Sequence, residues 1–248
     1  MKNHPKLMEL FEGKFLEHRG VLLVSDSSRF EGQSQTNDVF SDKWTKYSEE
    51  DEKNQERLFD FQKRWYLELY DFSSEDQLKK YLEKQAVVID AGCGLGYKAK
   101  WFADLSPKTL VIGMDYSDSA FVAAEKYKDV QNLAFVFGDI ADTKIKDGVI
   151  SYVSCDQVIH HTEDPQATMI ELARILKPEK ELAVYVYAKK ALPRELMDDH
   201  FRELTKHISK EDMWKMSEQL TELGKRLSEL NVSIDVPEIP LLGITGGK

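Results

Sequence analysis

Four short clusters of residues combine glycine, carboxylate and imidazole at spacings that suit a ligand carrying charge and hydroxyl groups. The first is Asp90-Ala91-Gly92-Cys93-Gly94-Leu95-Gly96. Alternate glycines let a backbone turn tightly and approach a ligand, and the next helix start offers free N–H groups to an anion. A nicotinamide-type fingerprint would put glycine at position 97, but Tyr97 stands there and the third glycine is Gly96. The second cluster, Asp115-Tyr116-Ser117, begins 115 − 90 = 25 residues on. A carboxylate there can accept hydrogen bonds from both hydroxyls of a ribose, with Tyr116 as an apolar face beside it. Capping a helix is the other role open to Asp115, as it is to Ser117 and Asp118. The third cluster is Gly138-Asp139-Ile140, and the fourth is Cys155-Asp156-Gln157-Val158-Ile159-His160-His161. Two imidazoles could hold or take a proton, because histidine titrates at about 6.5.

Each cluster ends a short β-branched run. Ala86-Val87-Val88-Ile89 leads to the first, Leu110 to Met114 to the second, Leu133 to Phe137 to the third, and Val149 to Ser154 to the fourth. Helical stretches separate them: Tyr97 to Leu105, Asp118 to Lys128, and a helix opened by Asp164-Pro165 that runs to Leu176, before a fifth strand at Leu182 to Tyr187. Strands alternating with helices predict βαβ units and a parallel, doubly wound α/β sheet, whose ligands bind outside the carboxyl ends of the strands. The clusters therefore fall where such a fold does its chemistry.

The spacing D-x-G-x-G-x-G, followed by acidic ends on the second and third strands, resembles class I S-adenosylmethionine-dependent methyltransferases. The strand leading to Val158-Ile159-His160-His161, then Ile170-Glu171-Leu172-Ala173-Arg174-Ile175-Leu176-Lys177-Pro178, looks like the small-molecule branch of that family. The resemblance covers residues 86 to about 188. It implies a Rossmann-like sheet ordered 3-2-1-4-5, preceded by a helical cap and followed by a helical extension. It also implies S-adenosylmethionine as cofactor and S-adenosylhomocysteine as product. The residues it places at the cofactor are Asp90, Ala91, Gly92, Cys93, Gly94, Gly96, Asp115, Tyr116, Ser117, Gly138, Asp139, Ile140, Cys155, Asp156 and Gln157. In related enzymes Asp139 would meet the adenine amino group while Ile140 packs on the ring. Two positions depart from the pattern: Ile150-Ser151 replaces Phe-Asp, and Pro178-Glu179-Lys180 replaces Pro-Gly-Gly. The family's final hairpin has no convincing counterpart after Lys190, so either residues 231–248 supply one strand or the chain stops short.

A cationic sulfonium favours aromatic faces, which draws attention to Phe40, Trp44 and Tyr47. A segment at this place folds over the cofactor in related enzymes; packing against the leading helix is the other reading. That helix, Glu52 to Tyr70, carries Leu58, Phe61, Trp65 and Leu69 at helical spacing, and a shorter one follows from Glu75 to Lys84, capped by Ser73 or Ser74. Residues 1–40 read as irregular. Beyond Lys190, Met213, Met216, Leu220, Leu223, Leu227 and Leu230 form a narrow stripe on a helix capped by Ser209, expected to pack on another helix of this chain or of a second copy. The expected organisation is 1–85 as N-terminal segment and cap, 86–190 as cofactor-binding core, and 191–248 as extension and tail.

Lysine and arginine number 34 against 44 acidic residues, a net charge of −10. Nucleic-acid enzymes usually carry a basic face for phosphate contacts, so RNA or DNA is disfavoured as partner and a small-molecule acceptor gains. The two cysteines, Cys93 and Cys155, form no C-x-x-C pair, which speaks against a cysteine-built zinc site or a disulfide framework. No metal is expected. Neither a membrane span nor a signal peptide is legible, and the cytoplasm is the expected compartment. The competing readings are a methyltransferase of protein or RNA, and a module that binds the cofactor without methyl transfer. His161, with His160 beside it, is the candidate for any proton transfer.

Overall fold

The computed structural model describes residues 5–24, 41, 52–188, 192–233 and 237–242. The chain forms two compact units, Met1–Val186 and Tyr187–Lys248. The first holds α1 (Pro5–Glu9), β1 (Leu16–His18), β2 (Val21–Leu23), α2 (Glu52–Leu69), α3 (Glu75–Leu82), β3 (Val87–Ala91), α4 (Tyr97–Leu105), β4 (Leu110–Asp115), α5 (Ser119–Lys126), β5 (Leu133–Phe137), β6 (Ile150–Asp156), α6 (Pro165–Ile175) and β7 (Leu176–Tyr185). A 3₁₀ turn, Ile159–His161, joins β6 to α6. The second unit holds α7 (Leu192–Thr205) and α8 (Lys210–Glu229).

The sheet runs β1-β2-β5-β4-β3-β6-β7. The five neighbouring strands β5-β4-β3-β6-β7 are parallel and give the expected 3-2-1-4-5 order. Strand β3 is buried along its whole length, as a strand covered on both faces must be, and this explains its unbroken apolar run. The surprise is at the edge beside β5. There β2 adds in parallel, pairing Val21 with Phe135, and β1 folds back on it antiparallel. Residues 1–40 are thus not all irregular: Val21-Leu22-Leu23 is too short to show a period, and it becomes a strand by pairing. Among the described residues no strand follows Tyr185.

Side chains alternate between the two faces of each strand. On one face Ile89, Ile112, Met114, Val136 and Val153 pack with Leu7, Phe11, Leu172 and Ile175. On the other, Val88, Val111 and Tyr152 pack with Tyr66, Leu78, Leu82 and Phe102. Helix α2 presents a different face from the one its leucine spacing predicts. Phe61 is 58% exposed, whereas Tyr66 is 2% exposed. The reason is chemical, because Tyr66 and Tyr70 find hydrogen-bond partners on β6 that the apolar residues could not use.

Three caps hold as expected. Ser74 accepts from the Gln77 N–H at 3.3 Å, Asp164 from Ala167 at 2.9 Å, and Ser209 from Asp212 at 3.1 Å. The stripe on α8 is not buried within the chain: Leu220, Leu223, Leu227 and Leu230 are 40–65% exposed. No helix among the described residues is long and apolar enough to cross a membrane.

Strand β7 begins six residues before its expected start and contains the Pro178-Glu179-Lys180 departure. Glu179 has φ +61°, a left-handed conformation that glycine adopts freely and other residues pay for sterically, at about 1–2 kcal/mol. Replacing it with glycine, Glu179→Gly, is expected to raise unfolding stability by roughly 0.5–1 kcal/mol, since the gain in unfolded-chain entropy offsets part of the relief. Urea denaturation measures this directly; a loss of stability would mean that the residue is not strained.

Candidate cofactor site at the strand ends

The site begins with the turn after β3. The Gly92 and Cys93 N–H groups both donate to the Met114 carbonyl, at 2.8 and 3.0 Å, which stitches the loop to β4. Gly96 caps α4 at φ +73°, and a Cβ there would lie 2.7 Å from the Phe135 ring. Conformation and space both require glycine at this point. Asp115, half-buried at the end of β4, holds the loop from the other side. Its Oδ2 accepts from the Gly94 N–H at 2.7 Å, and its Oδ1 from the Ser117 N–H and hydroxyl at 3.0 and 2.6 Å. Burial raises its pKa, opposed by these hydrogen bonds.

Beyond Asp115 an aromatic wall closes the strand ends. The Tyr116 and Phe137 rings are 5.2 Å apart, and Phe121 stacks on Phe137 at 5.7 Å. Gly138 donates to the Asp115 carbonyl at 3.1 Å. Asp139 turns its Oδ1 to the Ala141 N–H at 2.8 Å, and burial raises its pKa. Ile140 is 6% exposed and packs in the core.

The end of β6 is more heavily built than the sequence discloses. Tyr152, Ser154 and Asp156 rise along one face of the strand, opposite Tyr66 on α2 and Tyr70 just past its end. The Tyr66 hydroxyl meets that of Tyr152 and donates to Ser154 at 3.4 Å. Tyr70 donates to Asp156 Oδ1, and Ser154 donates to Asp156 Oδ2 at 3.2 Å. Lys98, on the first turn of α4, reaches over this ladder. Its ammonium pairs with Asp156 and lies 3.0 Å from Asp90 Oδ1. Burial opposes the charge on Lys98, but Asp156 and Asp90 outweigh it and hold the ammonium firmly protonated. Asp90 itself is fully buried, and burial pushes its pKa up to about 6 against the pull of Lys98. Its Oδ2 has no hydrogen-bond partner among the described residues.

The structure therefore brings together Asp90, Ala91, the glycine turn, Asp115, Tyr116, Ser117, Gly138, Asp139 and the end of β6 along adjacent strand ends. Gln157 is exposed at φ +60°, its N–H held by the Tyr185 carbonyl at 2.9 Å. Cys155 is buried, its thiol pushed up to about 12, and burial raises the Cys93 thiol as well; neither is a nucleophile at neutral pH. His160 is half-buried with its pKa lowered by burial, and His161 is exposed. Adjacent side chains on a regular backbone should diverge, yet these two rings lie 4.2 Å apart because the 3₁₀ turn brings them side by side. Phe40, Trp44 and Tyr47 lie outside the described residues. Sequence reasoning missed Lys98, Tyr66, Tyr70 and Ser154. One signal for Lys98 was available: a cation in the first turn opposes the helix dipole and calls for nearby carboxylates.

A doubly wound α/β domain with a glycine turn and carboxylates at three successive strand ends defines a nucleoside-cofactor-binding class. The methyltransferase domain family model matches residues 82–227, more than half of the chain, and the chain belongs to that family. It is 32% identical over 108 residues to a methyltransferase of Schizosaccharomyces pombe, covering 40% of this chain and 39% of that one. With the demethylmenaquinone methyltransferase of Staphylococcus saprophyticus it shares 34% over 95 residues, 36% of this chain and 40% of the other. A sterol 24-C-methyltransferase of Aspergillus fumigatus is 28% identical over 162 residues, 62% of this chain and 42% of its own length. The chain thus spans about two-fifths of the length of these relatives.

The raised Asp90 carboxyl gives a stability prediction. A carboxyl whose folded pKa of about 6 exceeds the ordinary value near 3.9 is held more tightly as the acid by the folded state. The cofactor-free protein therefore loses stability from this group as pH rises from about 4 to about 6, and regains none above. Asp90→Asn should raise the unfolding free energy at pH 7.5 by on the order of 1–3 kcal/mol, and by clearly less at pH 4.5. Chemical denaturation at the two pH values checks it. An equal effect at both would show that the buried charge carries no penalty.

Proposed function

We propose that this chain binds S-adenosylmethionine across the carboxyl ends of β3, β4 and β5 and transfers its methyl group to a small-molecule acceptor. The observation that carries this reading is the buried Asp90 carboxylate with an unpartnered oxygen, set at the mouth of a glycine turn. Lys98 meets one oxygen of this carboxylate; a buried oxygen left without a donor is costly, and the ammonium of this cofactor would serve the other. The rest of the donor set fits the same molecule. Asp115 would receive the ribose hydroxyls, Tyr116 and Phe137 would flank the adenine, and Asp139 would accept from its amino group, with Ile140 beneath. Ala91, Gly92, Cys93, Gly94 and Gly96 would pass along the methionine portion, near Cys155, Asp156 and Gln157. Trp44 and Tyr47, outside the described residues, would by the family resemblance lend aromatic faces to the sulfonium.

When bound, the cofactor supplies an electrophilic methyl group on a cationic sulfur. The chain's work is to hold acceptor and donor in line and exclude water, which contributes about 7–11 kcal/mol in well-oriented reactions. A small acceptor is supported by the net charge of −10 and by the names of the quinone and sterol relatives. The cytoplasm is the compartment this reading assigns. The exposed 3-4 stripe of α8 suits pairing with a second copy of the chain.

Removing the Asp115 carboxylate, Asp115→Ala, should weaken S-adenosylmethionine binding at least about tenfold. Hydrogen bonds to a charged group are worth about 1.5–3 kcal/mol and roughly 1.4 kcal/mol is a factor of ten; loss of the Gly94 tether adds to the effect. Isothermal calorimetry on folded protein tests this, and unchanged affinity would sink the ribose assignment.

For an acceptor with an ionisable proton, His161 would take or orient it at its exposed ring, with His160 as a neutral neighbour. A general base contributes about 10²- to 10⁴-fold. Single-turnover transfer by His161→Ala, with cofactor saturating, should fall by about that factor and exceed the loss in His160→Ala. If both variants stay within a few-fold of the parent, positioning alone drives the reaction.

A further inference from the structure

We propose that Lys98 is a positioning residue that keeps Asp90 ionised, so that Asp90 can receive the cofactor's ammonium. This rests on the cofactor reading above. The geometry is specific. Lys98 sits one residue past the turn of glycines, and its ammonium stands between two carboxylates from adjacent strands, Asp90 on β3 and Asp156 on β6. The two depend on it unequally. Asp156 also accepts from Tyr70 and Ser154, so it keeps two donors without the lysine. Among the described residues, Asp90 has Lys98 alone.

The groups that face Asp90 come from every neighbouring element. Lys98 reaches it from α4, Asp115 lies at the end of β4, Asp156 at the end of β6, and the Cys93 thiol in the loop. Tyr66 on α2 and Tyr70 just past its end approach only through Ser154 and Asp156, and the Lys98 ammonium lies 5.6 Å from the Tyr66 ring centre. Burial and both aspartates favour the protonated form of Asp90, and only Lys98 opposes them. Without the lysine, Asp90 becomes a neutral acid at pH 7 and loses its attraction for an ammonium group.

The test is a carbon-13 NMR titration of the aspartate carboxyls in cofactor-free protein, with the Asp90 signal assigned through Asp90→Asn. In the parent the Asp90 signal should titrate near pH 6. In Lys98→Met its midpoint should move above pH 7, and in Lys98→Arg it should stay near the parent value. Calorimetry with S-adenosylmethionine across pH 5.5–9 should follow. The Met variant should bind about tenfold or more weaker at pH 7 and recover most of that by pH 9. In an Asp90→Asn background the same substitution should add no pH dependence. An unmoved Asp90 midpoint in Lys98→Met overturns the proposal, as does weakening that is equal at every pH. If the midpoint moves but the parent protein binds no cofactor at any pH, the electrostatic role of Lys98 stands and the cofactor reading fails.

Discussion

The strand ends of this protein are organised around one constraint: two carboxylates, the fully buried Asp90 and the largely buried Asp156, reach the same ammonium. Like charges at such distances cannot both stay ionised without a counter-charge. Lys98 supplies it, and four elements must be fixed around it. Strand β3 and strand β6 must be adjacent and in register, pairing Asp90 with Ser154. Helix α4 must begin immediately after the glycine turn, or the lysine would point elsewhere. Helix α2 must dock on β6 so that Tyr70, just past its end, can donate to Asp156 while Tyr66 meets Tyr152 and Ser154. The helical cap is thus tied to the sheet by polar groups, and its orientation follows them rather than its leucines.

The same arrangement gives the site its electrostatic sign. Asp90, Asp115 and Asp156 contribute three negative charges against one from Lys98, so the crevice keeps an excess of negative potential. Burial above all, with a smaller push from Asp156 and Asp115, displaces the Asp90 carboxyl upward and makes its ionised form costly in the protein alone. The negative excess prepares the crevice for a cation. Stability is given up at the place where binding needs it, a common trade at functional sites.

How much of this was legible beforehand depends on range. The βαβ alternation and the three acidic strand ends could be read because each is local: a run of Val and Ile, then a turn residue, then a helix. The cap at Asp164 followed from two adjacent residues. What could not be read was pairing across the chain. Strand β2 is three residues long and exists because β5 offers it an edge far along the chain, Leu23 pairing with Phe137 at a separation of 137 − 23 = 114 residues. Tyr66 is a poor choice for a buried helix face until Ser154 and Tyr152 are known to lie opposite. The buried face of α2 follows from those partners, which local spacing does not disclose. The α8 stripe shows the converse, since its spacing is plain while Leu220, Leu223, Leu227 and Leu230 are exposed.

The two edges of the sheet are treated differently, and this accounts for a departure from the family pattern. The edge beside β5 is occupied by the β1–β2 hairpin. The edge at β7 has no strand beyond it among the described residues, so its free backbone groups would invite pairing with another chain. Its exposed stretch reads Pro178-Glu179-Lys180-Glu181, next to a register shift opposite Ile150 and Tyr152. Proline removes a donor, three charged side chains resist a second strand, and the irregularity breaks the ladder's regular run. Two glycines at this turn would relax the backbone at residue 179 but leave a barer edge. The strained Glu179 is therefore consistent with an exchange of local stability for protection of the edge, and it places that cost far along β7 from the carboxyl end, where the site requires order.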